Sequence, residues 1–393
     1  MRILSIESSC DETGASVVER GNDQINVLSN ILATSSEMHA ATGGIIPENA
    51  AREQVKSIIP VIVEALITAG RAGGTDGRAP DTRADERSET STGGRDNPGQ
   101  DPRSKWQIAN EILKNDIDAI AVTYGPGLIG SLLIGVETAK TLSLALNKPI
   151  IPVNHLLAHI YANFISDEKL NPKRYSLIPK PFPFIGLIVS GGHTDLLYFK
   201  SHNDFKWLGG TRDDAAGEAL DKIGRMLDLP YPAGPEMEQR ANKFQNLQAK
   251  NSKLQAKFAS PMINSPDFDF SFSGLKAEVM RFVKDKKLND KEINEVCYAV
   301  QTAVFDVLIK KTLNAAEKYN CSTILIGGGV SANQTLVEKM NHESGIMNQE
   351  VNIFSPEKEY ATDNAAMIGA YALLAGKIED WKNVKSNPEL YFT

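Results

Sequence analysis

Two histidines separated by three residues, His155-Leu-Leu-Ala-His159, are the sharpest chemical signal in this chain. On a helix, positions i and i+4 share a face, so both imidazoles reach one metal ion. The alternative is a pair of unrelated helix histidines. A zincin protease carries the same spacing but needs Glu beside the first His as its general base. Leu156 stands there, so a metalloprotease would lack its catalytic residue. Asp363, in Thr362-Asp363-Asn364, precedes an apolar helical run. It either caps that helix or supplies the carboxylate of a two-histidine, one-carboxylate site.

Glycine turns form a second group. Ser190-Gly191-Gly192-His193-Thr194 follows a buried strand, where backbone N–H groups can cradle phosphate oxygens or simply close a hairpin. Gly327-Gly328-Gly329-Val330-Ser331-Ala332-Asn333 also follows a strand and opens a helix. It is neither a dinucleotide fingerprint nor a P-loop, although a nucleotide fits such a helix start. Gly125-Pro126-Gly127 reads as a strand-ending turn. Asp11 and Glu12 lie in the first polar turn, while Asp213, Asp214, Glu218 and Asp221 lie about a helix start, where carboxylates meet the helix dipole favourably. Asp221, one turn in, is placed to face a ribose.

The elements that must position these groups alternate. Strands are expected at Arg2–Glu7, Ala15–Val18, Ala119–Thr123, Pro149–Val153, Phe184–Val189, Asp195–Phe199 and Thr323–Ile326. Helices are expected from Pro47 to Ala69, Trp106 to Leu113, Ser131 to Leu146, His155 to Phe164, Ala215 to Leu227, Leu275 to Val283 and Ile293 to Tyr319, then from Asn333 and over Asp363–Leu374. That alternation implies an α/β fold with a largely parallel sheet. A strand–turn–strand pattern at Ile6–Asp11 returns at Val189–Thr194, so two similar lobes should face each other across a cleft with both turns pointing into it.

The 393 residues are too many for one core. A 41% hydrophobic and 23% charged composition excludes a disordered or collagen-like chain. The net charge of −7 disfavours non-specific nucleic-acid binding, so any RNA contact needs a local basic patch or a partner. Three scattered cysteines without a CxxC fit a reducing compartment. The most apolar run, Ser57–Ala69, is broken by Pro60 and Glu64, short of the roughly 20 residues a spanning helix needs. Met1-Arg2 runs directly into Ile3-Leu4, with no secretory or transit pattern. The expectation is a cytoplasmic protein without a membrane partner. Arg71–Lys105 contains no Val, Ile, Leu, Met or aromatic residue and reads as a disordered insertion.

Taken together, Ile6-Glu-Ser-Ser-Cys-Asp-Glu-Thr-Gly14, Gly43-Gly-Ile-Ile-Pro-Glu48, Gly125-Pro-Gly-Leu128, His155-x-x-x-His159, Val189-Ser-Gly-Gly-His-Thr194, Asp214-Ala-Ala-Gly-Glu-Ala219, Phe270-Ser-Phe-Ser-Gly-Leu-Lys276, Gly327–Asn333 and Thr362-Asp-Asn364 stand in one family's order. The chain resembles the bacterial TsaD family, the tRNA adenosine threonylcarbamoyltransferases, once labelled O-sialoglycoprotein endopeptidases. The resemblance covers all of it except Arg71–Lys105. It implies two ribonuclease-H-like lobes of the actin-like, sugar-kinase and heat-shock ATPase superfamily around a central cleft. The first lobe spans 1–180 and the second 181–393, with the C-terminal helix packing back on the first. It implies transfer of a threonylcarbamoyl group from threonylcarbamoyl-adenylate to the exocyclic amine of the adenosine beside the anticodon, in tRNAs reading codons that begin with adenine, with release of AMP.

His155, His159 and Asp363 match the family's ligands for one divalent metal ion, iron or zinc. Ile188, Val189, Ser190, Gly191 and Gly192 match its substrate-binding strand and turn; Asp221, Gly234 and Asn333 match its other adenylate contacts. Ala233 stands where the family often has Gly, and Asn154 where it often has His. A smaller paralogous subunit and a P-loop ATPase are the implied partners. No general base is assigned, Asp11 and Glu12 being the nearest candidates by position. A metalloprotease and a non-catalytic nucleotide-binding paralogue are the alternatives.

Overall fold

Strand β1 (Arg2–Glu7) is buried on both faces, which explains why it reads as a nearly continuous apolar run. Its one polar interior residue, Ser5, donates to Ala365 O at 2.7 Å. β1 pairs antiparallel with β2 (Glu12–Arg20), and β2 with β3 (Ile25–Thr34). Helices α1 (Pro47–Ala72) and α2 (Lys105–Asn115) follow, then β4 (Ala119–Gly125), α3 (Ile129–Leu146), β5 (Ile150–Asn154), α4 (His155–Tyr161) and the short β6 (Ile165–Ser166). The sheet order is β5-β4-β1-β2-β3-β6, with β4 and β5 parallel to β1. The computed structural model describes residues 1–21, 24–34, 46–72, 104–166, 181–246, 255–347 and 350–392.

The second half repeats this plan. β7 (Phe184–Val189), β8 (Thr194–Ser201) and β9 (Asp204–Gly210) form an antiparallel meander. After α5 (Ala216–Met226), α6 (Gly234–Asn246), α7 (Ser273–Val283) and α8 (Asp290–Lys318), β10 (Thr323–Gly327) joins β7 in parallel. α9 (Gln334–Ile346) leads to β11 (Asn352–Phe354), then come α10 (Lys358–Ala361) and α11 (Ala365–Leu374). The order β11-β10-β7-β8-β9 matches β5-β4-β1-β2-β3 strand for strand, directions included. Two ribonuclease-H-like lobes therefore make an actin-like architecture.

Three apolar clusters hold these layers. One joins the outer face of the first sheet to α1, α2 and α3, through Leu4, Ile6, Ile62, Leu66 and Val136. Another joins the second sheet to α5 through α9, through Leu187, Ile223, Val304 and Leu308. The third lies between the sheets and contains α4 and α11, with Ile3, Ile160, Met367, Ile188 and Phe199. The helices on which His155 and His159 lie, and which Asp363 precedes, are thus the filling between the lobes.

Several expectations need correction. β3, β9 and α6 were not foreseen. In β3 the ladder is irregular at Val17/Val18, where Ser29 Oγ accepts from Val17 N–H, and the apolar alternation breaks there. β9 is an edge strand whose exposed side chains hide its pairing. α6 is mostly polar and buries only Met237 and Ala241 deeply. Among the described residues the most apolar long helix is α3 rather than the Ser57–Ala69 run. By length and composition α3 suffices to cross a bilayer, at mean hydropathy 1.4. Here it lies on the first sheet, burying Leu132, Gly135, Val136 and Ala139. Residues 73–103 of the expected insertion lie outside the described residues, as do Gly43 and Gly44. Its edges are helical: Arg71 and Ala72 end α1, and Ser104 caps α2.

The chain beyond α11 crosses both lobes. Asn387 N–H donates to Tyr124 O at 2.7 Å in the first lobe, and Asn154 Nδ2 to Tyr391 O at 3.3 Å. The Tyr391 hydroxyl reaches the second lobe, where it donates to Asp195. Asp195 is buried in β8 and also accepts from Trp207 Nε1 at 3.0 Å. Tyr391→Phe should therefore lower the unfolding free energy by about 1–3 kcal/mol, the cost of leaving a buried acceptor short of a partner. Urea denaturation checks this; an unchanged midpoint and slope would show that the strap adds no stability.

Candidate metal centre and cleft

The centre forms where three adjacent parallel strands end. β1 ends in Glu7, β4 carries Thr123, and β5 ends in Asn154. Asn154 caps α4, its Oδ1 accepting from Leu156 N–H at 2.9 Å and Leu157 N–H at 3.3 Å. That cap starts the helix at His155 and brings His159 onto the same face one turn later. The two rings stand edge to face, with centroids 4.8 Å apart.

Asp363 closes the centre from the other side. Of the two roles open to it in the sequence, capping falls to its neighbour: Asn364 Oδ1 accepts from Met367 N–H at 3.0 Å. The Asp363 carboxylate is left to face the histidines, Oδ1 lying 3.4 Å from His155 Nε2 and 3.2 Å from His159 Nε2. One ligand atom from each of the three residues falls within 4.8 Å of the others.

The carboxylates favour positive charge at this point. Burial alone would depress the His155 imidazolium, but Glu7 and Asp363 outweigh it and hold its pKa well above the usual range. Burial likewise opposes ionisation of Asp363, yet His155 and His159 hold that carboxyl well below its ordinary value. Glu7 is also lowered, His155 overcoming its desolvation. His155 Nδ1 lies 3.0 Å from Glu7 Oε2 and 3.3 Å from Ser9 Oγ. Two imidazole nitrogens aimed at one carboxylate oxygen are stable with protons or a metal ion between them. A nitrogen–nitrogen–oxygen donor set suits iron or zinc.

Beside the centre lies a cavity of about 570 Å³. The first lobe lines it with Ser9, Cys10, Pro126, Gly127 and His155. The second contributes Ser190 to His193, Glu218, Asp221 and Tyr231. Gly127 is required because a Cβ there would stand 2.3 Å from Ser9 O. Gly191, Gly192 and Gly234 are different: a Cβ on each would meet nothing within 4 Å, so their bare backbone faces open space. The hairpin amides are less free than the sequence suggested. Ser190 Oγ accepts from Gly192 N–H at 3.3 Å and from His193 N–H at 3.1 Å.

The sequence-derived residues therefore divide. Ser190, Gly191, Gly192, Asp221, His155 and Asp363 line the cavity. Asp221 also accepts from Ala233 N–H at 2.7 Å and so fixes the turn before Gly234. Ile188 and Val189 are fully buried in β7 and hold the turn from behind. Asn333 does not line the cavity; its Oδ1 caps Thr335 N–H at 3.0 Å and its Nδ2 donates to Gln301 at 3.2 Å. Asp213 and Asp214 serve the fold, the first accepting from Phe272 N–H at 2.7 Å and the second pairing with Lys222 and Lys276. Glu12 has a buried Oε2 without a hydrogen-bond partner among the described residues, and burial, reinforced by Asp363, pushes its pKa up to about 8.

Sequence reasoning missed Glu7 and His193. His193 lines the cavity and is held down to about 4 by burial and by His155 and His159, so it is neutral at pH 7. Glu7 read as a strand residue. A charge at the end of an otherwise apolar strand was the available signal.

Duplicated ribonuclease-H-like lobes, with a histidine–aspartate centre beside their cleft, define a two-lobed enzyme of the actin-like ATPase fold. The family model for tRNA N6-adenosine threonylcarbamoyltransferase matches residues 26–72 and 107–370. The chain belongs to that family, whose members are transferases that modify tRNA. Its relative of that name in Moorella thermoacetica is 40% identical over 375 residues, 94% of this chain and 90% of the relative. The one in Kosmotoga olearia is 39% identical over 393 residues, covering 100% and 99%. Among solved structures, the activator of the 2-hydroxyisocaproyl-CoA dehydratase from Clostridium difficile with bound ADPNP is 13% identical, covers 95% of this chain and 94% of its own, and has a TM-score of 0.45.

His159→Ala should lose bound metal, measured by elemental analysis after exchange into metal-free buffer. His155→Ala should lose it too and also cost about 3–5 kcal/mol, because it strands a buried carboxylate. Full metal occupancy in both would refute the ligand set. Zinc taken up through these ligands would have to displace protons from a His155 whose pKa is raised, so its affinity should fall as pH drops, by about tenfold per unit for each proton displaced. Affinity independent of pH between 8 and 6 would contradict this.

Proposed function

We propose that the cleft binds threonylcarbamoyl-adenylate and that His155, His159 and Asp363 hold one divalent metal ion, iron or zinc. The observation that carries this reading is the convergence of the three donor atoms beside a cavity that His155 and Asp363 line from one side and Gly191 and Gly192, each without a neighbour where a Cβ would stand, from the other. When bound, the metal would polarise the carbamoyl carbonyl as a Lewis acid. Ser190, Gly191 and Gly192, with Ile188 and Val189 behind them, let the adenylate approach the backbone closely, while Asp221 and Gly234 take its ribose side.

The exocyclic nitrogen of the target adenosine attacks the carbamoyl carbon. The bond from that carbon to the phosphate oxygen breaks, and AMP leaves with the electron pair. The amine must also lose a proton. Glu12, whose buried Oε2 has no hydrogen-bond partner among the described residues and whose pKa burial pushes up to about 8, accepts it in its ionised form, with Asp11 the other candidate by position. A protease reading is disfavoured, since Leu156 stands where its base would be. The reaction takes place where tRNA is, in the cytoplasm.

The partners are a smaller paralogous subunit and a P-loop ATPase. The first is supported by the outer faces of α1 and α3. Val55, Ile59 and Leu133 are exposed there at 63%, 38% and 45%. A shallow groove of about 420 Å³ between the helices includes Ile134 and Leu142. A paralogue of the same fold would offer a matching helix pair.

Reconstitution with synthetic adenylate, partners and tRNA, read by mass spectrometry of nucleosides, tests the reading. Threonylcarbamoyladenosine is expected with the native protein and none with His159→Ala. No product, or equal product from both, would refute it. Gly191→Val should keep its melting temperature and weaken adenylate binding by about tenfold or more, because the new side chain fills the space the ligand takes. Asn333→Ala should cost about 1 kcal/mol of stability as a lost cap. If calorimetry also shows weaker adenylate binding, Asn333 has the second role the family match implies; unchanged affinity would leave it a cap alone.

A further inference from the structure

Glu7 is 1% exposed, at a depth where a carboxylate is costly unless its lone pairs are filled. Its contacts come from three strand ends. Oε1 accepts from Ser9 N–H at 2.6 Å, after β1. Oε2 accepts from the Thr123 hydroxyl of β4 and lies 3.0 Å from Nδ1 of His155, after β5. Glu7 does not line the cavity, so it does not face substrate directly. We propose that Glu7 is a positioning residue that accepts the Nδ1–H of His155, fixing the ring and the tautomer that directs Nε2 toward His159 and Asp363. This role rests on the metal reading above.

The physical basis is proton placement. A neutral imidazole carries one N–H, and donating it from Nδ1 leaves the Nε2 lone pair free to ligate. A carboxylate behind the ring is the arrangement that favours this form. Ser9 N–H and Thr123 keep the Glu7 carboxylate from swinging away. Ser9 Oγ is the longer contact to the same nitrogen, at 3.3 Å. His159 has no such device: its Nδ1 is buried with no hydrogen-bond partner among the described residues. Packing sets His159, whereas hydrogen bonding sets His155.

The test is cobalt(II) binding to the full-length protein, with affinity from chelator competition, geometry from the visible d–d spectrum, and melting of the metal-free protein in parallel. Glu7→Gln should weaken cobalt binding by about 10–100-fold. It should also alter the spectrum, because a glutamine amide can donate to Nδ1 and move the proton to Nε2. Thr123→Val should weaken binding less, by about threefold or more. A purely structural Glu7 would lower the melting temperature and leave affinity and spectrum unchanged, and that result overturns the proposal. If Glu7→Gln does not fold, Thr123→Val decides, and native cobalt affinity in it overturns the proposal. A native protein that takes up no cobalt would bring down the metal reading and this role together. Equal binding by native protein and Glu7→Gln would remove only the role of Glu7.

Discussion

The structure turns on a balance of buried charge. Glu7 and Asp363 approach His155 from opposite sides, with His159 against Asp363, where three strand ends meet the start of α11. Glu7 is fully buried and Asp363 only partly so, and with both ionised this close together the pair needs positive charge between them. The fold supplies the imidazoles from one short helix, and the opposed carboxylates keep the site attractive to a cation. Asn154 and Asn364 make this possible by capping α4 and α11, since an Asp363 occupied as a cap would not face the histidines.

The duplication places that balance beside a cleft. Each lobe sends a β-hairpin turn toward the other, Ser8 to Asp11 from the first and Ser190 to His193 from the second. The first turn is tied from behind by the helices that carry the exposed apolar face. Gln54 of α1 donates to Cys10 O at 2.9 Å and Glu12 O at 3.0 Å, and Ser131 of α3 donates to Cys10 O at 2.7 Å. The outer helices are therefore coupled by direct hydrogen bonds to the turn beside His155. The C-terminal strap adds a second tie, from Tyr124 in one lobe to Asp195 in the other.

Much of this was legible in the sequence. The histidine spacing, the two hairpins and the buried strands β1, β7 and β10 are local patterns, and local patterns survive folding. β3 and β9 were not legible: a bulge breaks the alternation of one and edge exposure masks the other. Glu7 and the strap depend on contacts 116 to 196 residues apart, which no window of sequence displays. Capping at the last helix was legible only as an ambiguity, because Asp363 and Asn364 both suit an N-cap and tertiary structure chose between them. Asn333 carried the same ambiguity, and its amide caps α9.

Anomalous diffraction from crystals of the zinc-loaded protein tests the central claim most directly. The account predicts one strong peak at bonding distance, roughly 2.0–2.2 Å, from His155 Nε2, His159 Nε2 and an Asp363 oxygen, open toward the cleft. A peak held by other residues, or none at full zinc occupancy in solution, would contradict it.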